Sequence, residues 1–210
     1  MPSAAQRERA ALVQTLRDAG PDAPTLCGTW TTRDLAAHLV VREHRPDAAP
    51  GIMIGLLAGY TDQVQRRTAA ENSYEQLLDR IASGPPLWSP FKLLDPVVNM
   101  DEMFIHHEDV RRAQKGWQIR VLDESTTAAI RRALVVMARL TLGKVPARVH
   151  LVTPDGSTVA TVGKVGSGSD LTVTGEVGEL TMFVSGRSEA LVNFSDLRVA
   201  EAVRAAGHGL

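Results

Sequence analysis

The chain changes its hydrophobic period once, and that change constrains the fold more than any other feature. Up to Gly143 the apolar residues recur at helical spacing. From Ala147 onward ARVHLVT and STVATVG alternate apolar and polar, as half-buried strands do. The two patterns cannot share one kind of element, so the chain reads as a helical part, 1–143, followed by a small α+β part, 144–210. The helical part opens with a helix over 4–19 that sets Leu12, Val13 and Leu16 on one face, with Arg and Glu elsewhere, and stops at Gly20-Pro21. Thr31 reads as an N-cap, with Asp34 three positions on in a variant of the capping box. The helix it opens, roughly 32–45, is closed by Pro46 and Pro50. Helices over 52–70 and 73–83 follow, then the Pro-rich GPPLWSPFKLLDP, which cannot be regular helix. Asp95-Pro96 starts a further helix to about Lys115, and Asp123 starts one ending near Leu142. In the second part Pro-Asp-Gly turns between the first two strands and DLTVTGE makes a third. GEVGELTMFVSG reads as a short helix, LVNF is compatible with a strand, and a closing helix ends the chain.

Two helices carry polar groups where apolar ones belong. In VVNMDEMFIHHEDVRRA, positions four apart share a face, so Val98, Glu102, Ile105, His106 and Asp109 form one stripe. A carboxylate and an imidazole among inward-facing apolar residues are costly to bury without compensation, and a metal ion supplies it. His38 poses the same puzzle beside Leu35 and Leu39. His38, Glu102 and His106 together would leave a fourth position open to water, the pattern of a catalytic zinc; iron, nickel or manganese suit the same set. The same residues also fit a hydrogen-bonded core histidine and an ordinary i,i+4 helix pair. His107 and Glu108 lie further round the helix, facing solvent or an outer shell, and His44 is off the His38 stripe. Asp109, three residues after His106, can orient its imidazole or hold Arg33, Arg111 or Arg112. Cys27 reads as a small buried packing residue and Trp30 as a hydrophobic staple.

Composition bounds the rest. Hydrophobic residues make up 44% and charged residues 22%, and the formal net charge is -1, which provides no field to attract nucleic acid. The Arg pairs at 66–67, 111–112 and 131–132 sit on separate helices and read as solvated charge. One cysteine cannot form an intramolecular disulfide. No apolar run near the N-terminus suits a signal sequence, and the mild apolar stretch Gly51–Tyr60 is too short for a bilayer. The expectation is a soluble cytoplasmic protein, monomer or homodimer, without membrane or nucleic-acid partners.

These residues carry a family resemblance. LCGTWTTRDLAAHLVVRE resembles the signature of the mycothiol-dependent maleylpyruvate isomerase-like proteins of actinobacteria, part of the wider DinB-like metal-binding superfamily. The pattern is carried by Leu26, Cys27, Trp30, Asp34, Leu35 and His38, and its second half by Glu102, His106 and Asp109. The resemblance implies an N-terminal four-helix bundle with one metal, usually zinc, held by His38, Glu102 and His106; it selects His106 over His107, with Asp109 and Asp34 as outer-shell residues. It implies mycothiol as co-substrate. It also implies a small C-terminal α+β domain like sterol carrier proteins, to which DLTVTGEVGELTMFVSGRSEALVNF is similar, with Arg187 as the arginine that serves the active site. The activity so implied is a thiol-dependent transferase or isomerase, in which thiolate attacks an electrophilic small molecule. A metal-dependent hydrolase, with Glu43 or Glu108 as base, and a non-enzymatic metal- or ligand-binding protein are the rival readings.

Overall fold

The computed structural model describes residues 2–48, 55–89, 98–164, 166 and 169–207. The fold is α+β, and its contacts separate two compact units, Met1–Val121 and Leu122–Leu210. The change of period at 143/144 is a boundary of pattern. The contacts divide the chain earlier because the helix over 124–142 packs with the residues that follow it.

The first unit holds α1 (Ala4–Ala19), α2 (Thr32–His44), α3 (Gly55–Glu71), α4 (Tyr74–Ser83) and α5 (Val98–Arg112). The short α4 packs on α1 and α2, α1 packs along α5, and α3 lies on α2. Local chemistry sets the starts. Ser3 with Gln6, Thr31 with Asp34 and Ser73 with Gln76 each form a capping box, satisfying backbone N–H groups that a helix start leaves without partners. The expected helix start at Asp95-Pro96 and the closing Pro50 lie outside the described residues. One core cluster includes Leu12, Leu16, Leu35, Leu39, Leu77, Leu78, Ile81 and Met103, with Trp30 and Cys27 partly buried against it, and a smaller one holds Val41, Ala48 and Val64.

Two charged residues that the pattern sets off the apolar face of α1 are buried. Arg9 donates to Glu43 Oε2 (2.8 Å) and to the Ile81 carbonyl (2.9 Å). Glu8 accepts from Arg120 Nη2 (2.7 Å) and lies 2.7 Å from His107 Nδ1. Periodicity misses them because each is compensated by a partner distant in sequence. Arg112, read as solvated, is also buried, donating to Glu108 Oε2 at 2.7 Å with its guanidinium over the Trp117 ring.

The second unit begins with α6 (Glu124–Leu142), capped by Asp123. Then come β1 (Arg148–Val152), β2 (Thr158–Gly163), β3 (Asp170–Thr174), α7 (Val177–Val184), β4 (Asn193–Phe194) and α8 (Leu197–Gly207). The sheet order is β2-β1-β3-β4, with β1 antiparallel to β2, parallel to β3, and β3 antiparallel to β4. The Pro-Asp-Gly turn forms as expected, with Asp155 accepting from the Ser157 N–H and Gly156 at φ +84°. Gly163 is required where β2 ends, because a Cβ there would lie 2.1 Å from the Ala147 carbonyl oxygen. The apolar α7 is buried along its whole length and packs on α6. Arg187, just beyond it, donates from Nη1 to the Ser185 carbonyl at 2.8 Å. No helix of the described residues is long and apolar enough to cross a membrane.

Candidate metal centre

His38 lies in the middle of α2, and Glu102 and His106 lie one turn apart on α5. Glu102 Oε1 is 3.4 Å from His38 Nε2 and 3.2 Å from His106 Nε2, and the three ligand atoms all lie within 4.8 Å of one another. Both imidazoles are buried, at 7% and 8% exposure, while the Glu102 side chain keeps 23%. Zinc–nitrogen and zinc–oxygen bonds near 2.0–2.1 Å subtend tetrahedral edges of about 3.3 Å, so the two N···O separations suit a shared cation. The donor set of two imidazoles and one carboxylate suits a divalent metal as well.

The imidazoles are held from behind. His106 Nδ1 is 2.9 Å from Asp109 Oδ2, an atom of a fully buried carboxylate. That bond occupies Nδ1 and leaves Nε2 for the shared position, the arrangement in which an outer carboxylate orients a ligand. The Trp30 ring packs 5.1 Å from the His38 ring, centre to centre, besides meeting the core that contains Leu35. Asp34 is spent on the start of α2, where it accepts from the Thr31 backbone N–H (2.9 Å) and hydroxyl (2.8 Å).

Charge follows from this packing. Burial pushes the His106 imidazole down, but hydrogen bonds with Asp109, Cys27 and Glu102 carry it well above its ordinary value. Burial pushes Glu102 up, and Arg42, His106 and His38 together hold it well below the usual carboxylate range. His38 is lowered, because burial outweighs its bond with Glu102. Burial thus lowers His38, while the partners around Glu102 and His106 favour the charged form of each.

Three neighbours had no role at this centre in the sequence pattern. Arg42, one turn after His38, is buried with Nε 3.3 Å from Glu102 Oε1 and donates from Nη1 to Asn99 Oδ1 (2.8 Å). Its i,i+4 spacing from His38 was the available signal. Asp101 has a buried Oδ1 without a hydrogen-bond partner; burial, then the adjacent Glu102, push its carboxyl up to about 7. Cys27 is half-buried, with Sγ 3.1 Å from Asp109 Oδ2 and 3.8 Å from His106 Nδ1. It touches polar groups as well as the core, so it is more than the packing residue its sequence context suggests.

The HHED run resolves by facing. His107 turns to α1, 2.7 Å from Glu8 Oε1 and 2.8 Å from Thr15 Oγ1, and so faces neither solvent nor the centre. Glu108 is buried and accepts from Arg111, Arg112 and Arg120. With Glu43 held by Arg9, both carboxylates named as candidate bases are committed to guanidinium partners.

Residues 3–86 match the model of the mycothiol maleylpyruvate isomerase N-terminal domain. The match takes in Cys27, Trp30 and His38 and ends before Glu102. Among solved structures, the chain is similar to the mycothiol-dependent maleylpyruvate isomerase, with a TM-score of 0.55 and 13% identity over 91% of this chain and 90% of that one. A histidine-to-alanine mutant of that isomerase is similar over the same shares at 13% identity and a TM-score of 0.54. Both likenesses bear on the fold. No curated protein matches the chain.

Proposed function

We propose that this protein binds one divalent metal, zinc by its donor set, through His38, Glu102 and His106, and acts as a mycothiol-dependent isomerase or transferase on a small electrophilic substrate. The observation that carries the reading is the convergence of His38 Nε2, Glu102 Oε1 and His106 Nε2, all within 4.8 Å, from two helices. The match of residues 3–86 supports mycothiol as the co-substrate. A bound divalent metal lowers the pKa of a thiol or water that joins it, making thiolate available at neutral pH.

The chain's own residues do the rest. Asp109 holds the His106 Nδ1 proton, so Nε2 is presented as a donor. Arg42 sits at the same Glu102 oxygen and keeps the carboxylate ionised. Trp30 shields His38 from one side. The hydrolytic alternative is weaker, because both bases that it would call on, Glu43 and Glu108, are neutralised by arginines. The test is metal analysis of the purified protein beside His38→Ala, followed by thiol consumption with mycothiol and a generic electrophile. The reading expects metal in the unaltered protein only, and thiol loss above background. Equal metal in both proteins removes the site, and metal without thiol consumption removes the transferase.

A further inference from the structure

We infer that Cys27 is a positioning residue, whose thiol locks Asp109 and through it the His106 imidazole; this rests on the metal reading of the centre. The loop that carries Cys27 is built to deliver it. Pro24 and Thr31 form an antiparallel bridge. Thr25 Oγ1 donates to the Trp30 carbonyl (2.8 Å) and accepts from the Cys27 N–H (3.2 Å), and the Trp30 N–H donates back to the Cys27 carbonyl (3.2 Å). Gly28 closes this turn at φ +64°, a conformation that favours glycine. The loop is fixed on α5 by the Leu26 N–H, which donates to the Asp109 backbone carbonyl at 3.1 Å. Main chain and side chain of Asp109 thus both meet this loop.

The consequence lies at one atom. Asp109 Oδ2 accepts from the Cys27 thiol at 3.1 Å and from His106 Nδ1 at 2.9 Å. Two donors converging on one oxygen fix the rotation of a carboxylate more tightly than one does. The imidazole held by that oxygen keeps its proton on Nδ1 and aims Nε2 at Glu102 Oε1, 3.2 Å away. Cys27, His106 and Asp109 also lie close enough to hold a cation of their own. The S···O separation of 3.1 Å argues against that, since a tetrahedral zinc with ordinary bond lengths needs about 3.5 Å between sulfur and oxygen. A thiol–carboxylate hydrogen bond fits the distance. Because the same loop places Trp30 against His38, one short segment orients both candidate imidazole ligands.

The test compares Cys27→Ser with Cys27→Val. Serine keeps a donor and loses apolar bulk; valine keeps apolar bulk and loses the donor. Zinc affinity is measured by chelator competition at fixed pH, with the visible absorption of the cobalt-loaded protein as a second readout of ligand geometry. Thermal unfolding of each metal-free variant reports folding. The positioning role expects Cys27→Ser to bind zinc within about threefold of the unaltered protein. It expects Cys27→Val to bind about tenfold more weakly, the lower end of the 10–100-fold cost of losing an outer partner, with shifted cobalt bands. Zinc affinity and cobalt bands unchanged in Cys27→Val, or Cys27→Ser as weak as Cys27→Val, overturn the inference alone. Absence of zinc binding by the unaltered protein overturns the metal reading and this inference with it.

Discussion

Zinc added to the metal-free protein should raise its thermal stability, and His38→Ala should abolish the effect. The ligands come from α2 and α5, so a bound ion ties together two helices that otherwise meet at this point through hydrogen bonds and packing. Binding to the folded state alone stabilises by about 2.7 kcal/mol when free metal stands a hundredfold above its dissociation constant. For a unit the size of Met1–Val121 that is a rise of about 10 °C. Removing one of three protein ligands leaves a carboxylate and an imidazole on one helix, so the variant should show almost no rise. The pH dependence carries a sign that a nonspecific ion effect would not share. In the metal-free protein the raised His106 contributes stability that is full below 6.5, its ordinary value, and is lost as pH rises through its folded value. Zinc needs that imidazole unprotonated, so its stabilisation must grow with pH over the same window. Circular dichroism melts at matched zinc concentrations from pH 6 upward measure both. An equal rise in His38→Ala, or a rise that shrinks with increasing pH, refutes the centre.

Other expectations follow from the buried charges. Arg9→Met leaves the Glu43 carboxylate buried beside an Ile81 carbonyl with its guanidinium gone, and should cost about 3–5 kcal/mol in urea unfolding. The double variant with Glu43→Met should recover most of that loss, and no recovery would show that packing rather than charge sets the cost. Glu8 is held below its ordinary 4.5: burial raises it, but His107 and Arg120 outweigh burial. Its contribution is therefore complete above about pH 4.5 and lost as pH falls through its folded value; Glu8→Gln should flatten the acid limb of a stability–pH curve, and an unchanged limb counts against the pairing.

Much of this was legible in the chain before any coordinates. Local signals are written in neighbouring residues, so capping at Thr31 and Asp123, the stop at Gly20 and the turn at Gly156 could be read directly. The two periods separated helices from strands, and the polar residues on apolar stripes named His38, Glu102, His106 and Asp109, which the fold brings together. What the sequence by itself determined is thus the set of elements and which faces carried unexplained polar groups, because both depend on spacing along one helix or strand. Only tertiary structure decided that His107 turns to Glu8 and Thr15, that Arg9 and Arg112 are buried, that Arg42 meets Glu102, and that Cys27 reaches Asp109. Each of these depends on a partner on another element or loop. A buried charge is stable only where that partner lies, and no one-dimensional period records the distance across the bundle that brings the two together.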